Sequence, residues 1–248
     1  MTSDFSAGNY RFIPAVFQYS SGSAALPGYE IERVRFEKWL PLAEGFAAAA
    51  KYIQAAGRPL TSFCACELRS PAAFTDEGFR NFNQHYVKTL AEWGIYDGTT
   101  NPVARSNVCP EIDPPAAPSF FAFCFTRPSQ NATPTFVIAG GAEAREGSRP
   151  YAERTVRYRD LSPEGLREKV RFTTREQMEN RLGQFGFGWK DTTGVQAYSI
   201  RDFHPVMSEE LVSRGAVRSG LTWHFARPPV VDLEFEMDCR RVMRETVI

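Results

Sequence analysis

The chain lacks the features that mark nucleic-acid-binding, metal-binding and membrane proteins. Its 29 basic and 29 acidic residues cancel, so no net positive charge attracts a polyanion, and nucleic acid is not an expected partner. It has three histidines and no CxxC pair among its five cysteines, which leaves no recognisable set of metal ligands. No uncharged apolar run is long enough to span a bilayer. We therefore expect neither a bound metal nor a membrane partner.

The cysteines and the first residues bear on cellular location. An odd number of cysteines without paired spacing favours buried, reduced thiols over a disulfide framework. The first residues lack the basic region and apolar core of a secretory signal. We expect a cytoplasmic, unanchored protein, and a length of 248 residues allows one large domain or two small ones.

Strand and helix signals occur in the same order in both halves of the chain. In the first half we predict strands over 12–22 and 31–36, a helix over 40–56, a strand over 61–68, a helix over 75–93, and strands over 105–112 and 119–125. In the second half we predict strands over 135–141 and 155–158, a helix over 162–185, a strand over 192–200, a helix over 205–213, and strands over 219–225 and 231–239. The same β-β-α-β-α-β-β pattern is therefore written twice.

The expected helix ends agree with this repeat. Thr75 and Ser162 stand where a capping side chain is expected, each followed by acidic residues in the first turn. Gly57 and Gly186 stand where the first helix of each half should end.

An arginine motif also occurs twice. Arg218 lies in the run AVRSGLTW at 216–223, and Arg105 lies in the similar run VARSNV at 103–108. Glu234 follows Arg218 by sixteen positions, whereas no acid lies at the matching distance from Arg105. Arginine stays charged at any relevant pH, and its planar fork can clamp a carboxylate through two parallel hydrogen bonds. It can position a substrate but cannot act as a base.

Each half resembles the RidA family, also called YjgF, of enamine and imine deaminases. The matching runs of the first half are SG at 21–22, AG at 56–57, FRNFNQHY at 79–86 and PVARS at 102–106. Those of the second half are AG at 139–140, FG at 185–186, AVRS at 216–219 and LEFE at 233–236.

The resemblance implies an α+β fold of two tandem RidA-like (chorismate mutase-like) β-β-α-β-α-β-β units. Each unit would be a mixed β-sheet with two helices on one face, and the units would occupy residues 1–127 and 128–248. Single-unit relatives form trimers, so a homo-oligomer is expected, and a trimer is one option.

The same resemblance implies the site. The arginine would hold the carboxylate of a 2-imino or 2-enamino acid while water attacks the carbon that bears nitrogen and ammonia leaves. Arg218 and Glu234 are the predicted catalytic residues, and no cofactor is expected. The predicted substrate-binding residues are Gly140, Ser219, Arg105, Ser21 and Gly22. The competing interpretations are a surface charge for Arg218 and a solvent-exposed position for Glu234.

Departures from the family pattern bear on the substrate. Ala139 stands where the second half should have the serine of Ser-Gly, and 20 phenylalanines suggest a pocket for a bulkier or conjugated substrate. The Arg218 and Glu234 pair, with the resemblance to a family whose members act in aromatic catabolism, implies a hydrolytic deaminase of the 2-aminomuconate type. It would act in aromatic catabolism on the enamine or imine of an unsaturated carboxylic acid. The alternatives are a chorismatase-like enzyme that acts on a carboxylated ring and a non-catalytic protein that binds small carboxylates.

Overall fold

The computed structural model describes residues 1–131, 133–147 and 149–248. The strands are β1 (Ser3–Phe5), β2 (Tyr10–Ile13), β3 (Gly22–Ala25), β4 (Tyr29–Pro41), β5 (Phe63–Arg69), β6 (Ala104–Pro110), β7 (Ser119–Pro128), β8 (Phe136–Ala142), β9 (Gly194–Tyr198), β10 (Thr222–His224), β11 (Ala226–Arg227), β12 (Glu236–Arg241) and β13 (Arg244–Val247). The α-helices are α1 (Leu42–Ala55), α2 (Asp76–Glu92), α3 (Tyr151–Arg154), α4 (Pro163–Phe172), α5 (Asn180–Phe185) and α6 (His204–Met207). A π-helical segment, Thr173–Glu179, joins α4 to α5, and a second, Ser208–Val212, follows α6.

The strands form two mixed sheets. One has the order β1-β2-β3-β8-β12-β9-β10 and the other the order β11-β6-β5-β7-β4-β13. Each sheet takes strands from both ends of the chain, because the N-terminal strands pair with β8 and the C-terminal strand pairs with β4. The predicted α+β class with mixed sheets is thus confirmed.

The two sheets pack face to face, and the helices cover their outer sides. Helices α1 and α2 share an aromatic core with β4, β5 and β7, in which Phe46, Phe63 and Phe120 are buried. The helices of 163–212 share a second core with β8, β9 and β12. Small residues lie between the sheets, among them Cys64 and Ala104. Burial of these apolar faces is the main source of stability.

Two predicted helix starts are confirmed. The Thr75 side chain accepts a hydrogen bond from the Gly78 backbone at the start of α2, at 3.1 Å. Ser162 accepts one from Gly165 in the same way at the start of α4, also at 3.1 Å. Each serves as the cap that satisfies an otherwise free backbone N–H.

The strand predicted over 155–158 is wrong. The chain forms the short helix α3 and then a turn, in which Arg157 and Arg159 have positive φ angles of 50° and 58°. β3 occupies the place beside β8 that this strand would have filled. The alternation of apolar and charged residues is a local pattern, so it could not reveal that β3, from near the start of the chain, pairs with β8.

The strands predicted around the second arginine motif are shorter than expected. Gly215 and Gly220 have φ angles of 82° and 86°, so 215–220 forms turns, and β10 begins only at Thr222. β12 begins at Glu236 because the preceding N–H groups of Glu234 and Phe235 donate to the Glu143 carboxylate.

The five cysteines are all free and buried. Within the described ranges, no helix is long and apolar enough to cross a membrane.

Candidate active site

A cleft opens where the two sheets and the helical layer of the second half meet. Its apolar lining residues are Phe79, Ala142, Ala144, Pro229 and Leu233, and charged and polar groups also line it. Those groups are Tyr19, Arg105, Asn107, Glu146, Tyr151, Arg154, Gln177, Arg181 and Glu236. Residues from both halves of the chain therefore build one site.

Arg105 lies on β6, and its side chain is buried among aromatic rings. Its guanidinium carbon lies 4.7 Å from the ring centre of Tyr86 and 5.3 Å from that of Tyr19. Rings of Phe79 and Phe82 lie at 5.7 and 5.6 Å. Cation–π contacts of this kind hold an arginine in place without using its N–H donors.

The donors of Arg105 are left free by this arrangement. Only 3% of the residue is exposed, and its Nη1 is buried without a hydrogen-bond partner among the described residues. No described carboxylate forms an ion pair with it. A buried charge without a partner is costly, so the cleft is suited to an anionic ligand that supplies the missing acceptors.

Glu236 is the buried carboxyl group of the cleft. It stands at the start of β12 with 4% of its surface exposed, and no described side chain or backbone group donates a hydrogen bond to its carboxyl. Burial raises its pKa well above the usual range, and the charge of Asp238 raises it further, whereas Arg181 and Arg105 oppose the shift. Burial therefore favours the protonated form of Glu236, which is the form that can donate a proton in a reaction.

Gly140 on β8 makes room for Glu236. A Cβ built on Gly140 would overlap Oε1 of Glu236 and come within 3.2 Å of the Cα of Ser106. The sheet is also irregular here, because β8 carries an extra residue opposite Asp238. Bulges of this kind often occur beside active sites, where they redirect backbone groups.

Arg181 on α5 is tied to this bulge. Its Nη1 donates to the carbonyl oxygens of Ala139 and Gly140, at 3.0 and 3.3 Å, and its Nη2 donates to Glu146 at 2.9 Å. The preceding π-helical turn places Gln177 in the same wall of the cleft. Insertions of this type in helices are frequent at functional sites.

The charges of the cleft favour an anionic ligand. Among the described lining residues, three arginines face two glutamates, and burial raises the pKa of one of the glutamates, Glu236. The net charge of the lining is therefore positive. No group of three or more metal-ligating side chains was found in the described part of the chain.

The structure places Arg218 and Ser219 away from this cleft. Arg218 lies in an exposed turn, and Ser219, also exposed, donates from its hydroxyl to the Thr192 carbonyl at 2.6 Å. Neither residue lines the cleft of Arg105 and Glu236.

Glu234 is buried, contrary to the competing expectation of exposure, but it faces a different part of the molecule. Its carboxylate accepts a hydrogen bond from Arg201 at 2.7 Å and lines two other clefts, neither of which includes Arg218. The structure therefore does not bring the predicted pair Arg218 and Glu234 together.

Ser21 and Gly22 lie at the start of β3, outside the cleft. Ser21 is buried and exchanges backbone hydrogen bonds with Ile13 and Ala139. A Cβ on Gly22 would come within 3.0 Å of the Phe185 ring and the Val137 carbonyl, so tight packing explains this glycine. Of the seven predicted site residues, the cleft brings together Arg105 and Gly140.

Comparison with known sequences identifies the family of this chain. Residues 2–246 match the protein family described as 2-aminomuconate deaminase CnbZ. The chain belongs to this family. It is 54% identical over 246 residues to the 2-amino-5-chloromuconate deaminase of Comamonas testosteroni, a match that covers 98% of each chain.

Membership of the CnbZ family corrects one expectation and confirms another. The assignment to the RidA family is wrong, because the match to the CnbZ family spans almost the whole chain. The prediction of a deaminase of the 2-aminomuconate type is confirmed.

Comparison with solved structures bears on the fold of this CnbZ-family chain. A chorismatase shares the fold at a TM-score of 0.50 and 14% identity, over 89% of this chain and 77% of that chain. A putative endoribonuclease from Thermotoga maritima aligns at a TM-score of 0.30 and 14% identity, over 54% of this chain and 91% of that chain. The likeness to chorismatase concerns fold alone.

Several residues of the cleft escaped sequence reasoning. Glu236 stands two positions after Glu234 in the same acidic run, and of the two acids it is Glu236 that lines the cleft of Arg105. Arg181 follows Gln177 by four positions on a predicted helix, a spacing that puts two polar side chains on one face. That polar stripe on a helix expected to cover a sheet was the available signal.

Proposed function

We propose that the cleft between Arg105 and Glu236 hydrolyses the C–N bond of a 2-aminomuconate-type dicarboxylate and releases ammonia. The observation that carries this proposal is a buried arginine with an unpaired donor in the same cleft as a buried carboxyl whose pKa burial raises. Family membership and the 54% identical deaminase support the same substrate class.

In this proposal Arg105 binds the carboxylate next to the amino-bearing carbon. Its free N–H groups supply two parallel hydrogen bonds, and the surrounding rings fix the guanidinium before the substrate arrives. Binding also satisfies a donor that is otherwise buried without a partner, so this contact favours substrate over water.

Glu236 is the proposed acid and base. Its proton is first transferred to a chain carbon of the enamine, and the C–N bond becomes an iminium ion. The resulting Glu236 carboxylate then takes a proton from water as the water oxygen bonds to the iminium carbon. A proton moves from the new hydroxyl to nitrogen, the C–N bond breaks, and ammonia leaves behind a 2-oxo product with Glu236 again protonated.

The charge of the cleft supports a dicarboxylate over a monocarboxylate. Three arginines against one ionised glutamate leave about two positive charges, which two substrate carboxylates would neutralise. We propose that Arg154 or Arg181 faces the second carboxylate, since both line the cleft with Arg105.

We also propose that residues 1–127 and 128–248 derive from two related units. The order β4-β7-β5-β6 in one sheet corresponds to β8-β12-β9-β10 in the other. In both, the first two pairings are antiparallel and the last is parallel. In each half, one helical segment precedes the third of these strands and another precedes the fourth.

Two further expectations stay predictions. A homo-oligomer, with a trimer as one option, is tested by light scattering on the purified protein. Cytoplasmic location is tested by fractionation of the source cells.

The proposed activity is tested by ammonia release from freshly generated 2-aminomuconate. We expect release well above the uncatalysed rate, and much slower release from an enamine that carries only one carboxylate. Equal rates for the two substrates would contradict the dicarboxylate proposal, and no release above background from either would contradict the activity.

A further inference from the structure

We propose that Asp238 is a positioning residue for this reaction. Asp238 and Glu236 form a carboxyl pair on β12, in which Asp238 carries the negative charge and so keeps the proton on Glu236. The inference rests on the proposed function, in which protonated Glu236 starts the reaction. Asp238 itself does not line the cleft of Arg105 and Glu236.

The geometry distinguishes the two carboxyls. Asp238 stands two residues after Glu236 on the same strand, so both side chains lie on one face of the sheet. Asp238 accepts hydrogen bonds from the hydroxyls of Ser106 and Tyr198, at 2.6 and 2.7 Å, and from the amide of Gln196 at 2.9 Å. Three donors hold a carboxylate in its charged form.

Glu236 has the opposite surroundings. It receives no hydrogen bond from the described residues, and burial disfavours its charge. Two buried carboxyls two residues apart on one face of a strand do not both ionise easily, so the one with three donors keeps the charge and the one without donors keeps the proton. The pKa of Asp238 is also raised, by burial and by Glu67, but its three hydrogen bonds oppose that rise.

Charged groups on the neighbouring strands and helices also influence the ionisation of Glu236. Arg105 on β6 and Arg181 on α5 favour its charged form, while Asp238 on its own strand and Glu143 beyond the end of β8 disfavour it. Ionised Glu236 would in turn raise the pKa of Tyr151 on α3 and of Cys109 on β6. After burial, the charge of Asp238 is the strongest influence that raises the pKa of Glu236, so its removal should have the clearest effect.

Asp238→Asn is the direct test, and the measurement is kcat against pH. The variant removes the charge beside Glu236 and keeps the side-chain shape. Glu236 then loses its proton at lower pH, so the alkaline fall in activity should move down by about one to two pH units. An unchanged position of this fall would overturn the inference.

Tyr198→Phe is the matched control. It removes one hydrogen bond to Asp238 but leaves the charge in place. We expect its alkaline fall within about 0.3 pH units of the wild type, because the charge next to Glu236 is retained. If both variants move the fall equally, Asp238 acts through its hydrogen bonds and the proposed role of its charge is contradicted.

Failure of the inference can be told apart from failure of the proposed function. Glu236→Gln should be nearly inactive in either case, and its retention of full activity would overturn both. Should Asp238→Asn not fold, infrared spectra of the wild type and Glu236→Gln at neutral pH replace it. A protonated-carboxyl band that disappears in Glu236→Gln supports the inference, and a band of unchanged intensity overturns it.

Discussion

The two halves of the chain carry the same arginine motif but use it differently. Arg105 lies on β6, buried among aromatic rings and lining the cleft. Arg218 lies in an exposed turn between two glycines with positive φ angles. Similar short sequences therefore lead to a buried site in one half and a surface position in the other.

The difference shows that the two halves complement each other. The first half provides Arg105, and the second provides Gly140, Arg181 and Glu236, all in one cleft. The buried acid of this cleft, Glu236, comes from β12 of the other sheet. We therefore propose a composite site built from both halves.

Replacing Glu236 and Glu234 by glutamine, one at a time, should give the largest difference in kcat. Glu236→Gln should lower kcat about 10²- to 10⁴-fold, since it removes the proton that starts the reaction. Glu234→Gln is the matched control and weakens the ion pair with Arg201, which should cost about 1 kcal/mol of stability with little loss of kcat. Steady-state kinetics and thermal melting separate the two, and a greater loss of kcat in Glu234→Gln would contradict the assignment.

Substituting the arginines gives the next largest effect. Arg105→Lys keeps the charge but loses the planar fork, so kcat/KM should fall about 10- to 100-fold, mainly through KM. Arg218→Lys should behave as the wild type because its side chain is exposed. Kinetics on the same substrate provide the measurement, and equal losses in the two variants would argue for a second active arginine.

The pH dependence sharpens the role of Glu236. Its pKa is raised in the folded protein, so the protonated form that the proposed mechanism requires persists to higher pH than in an ordinary glutamate and is lost as the pH rises through that value. We expect kcat to fall on the alkaline side, and Glu236→Gln to lose this fall. Burial lowers the pKa of His224 to about 4, so a fall centred near neutral pH is not expected from this residue.

Two glycines give the smallest contrast. Gly140→Ala would push the Glu236 carboxyl out of place, and kcat should fall about tenfold. Gly22→Ala would crowd Phe185 and the Val137 carbonyl, so it should lower the melting temperature by a few degrees and leave kcat unchanged. A larger loss of kcat in Gly22→Ala would show that the catalytic geometry depends on packing at β3.

Sequence patterns predicted local structure well and long-range pairing poorly. The caps at Thr75 and Ser162 are contacts within one helical turn, so residue type alone revealed them. The position of β3 beside β8 depends on contacts between residues more than 100 positions apart, and no local pattern encodes it.

For the site residues too, local motifs could be predicted from the sequence and long-range contacts could not. Arg105 and Gly140 were recognised because each belongs to a short motif. The sequence does not show which acid of the run 234–236 lines the cleft, because that depends on where β12 begins. Glu143 sets this start by binding two backbone N–H groups from about 90 residues away. The contact between Arg181 and the bulge in β8 is likewise long-range and needed the structure.

A crystal structure with muconate, the dicarboxylate that lacks the reactive amino group, tests the composite site most directly. We predict one carboxylate on the guanidinium of Arg105 and the carbon chain beside Glu236 and Gly140. Muconate bound at Arg218 or Arg201, with the Arg105 cleft empty, would contradict the assignment.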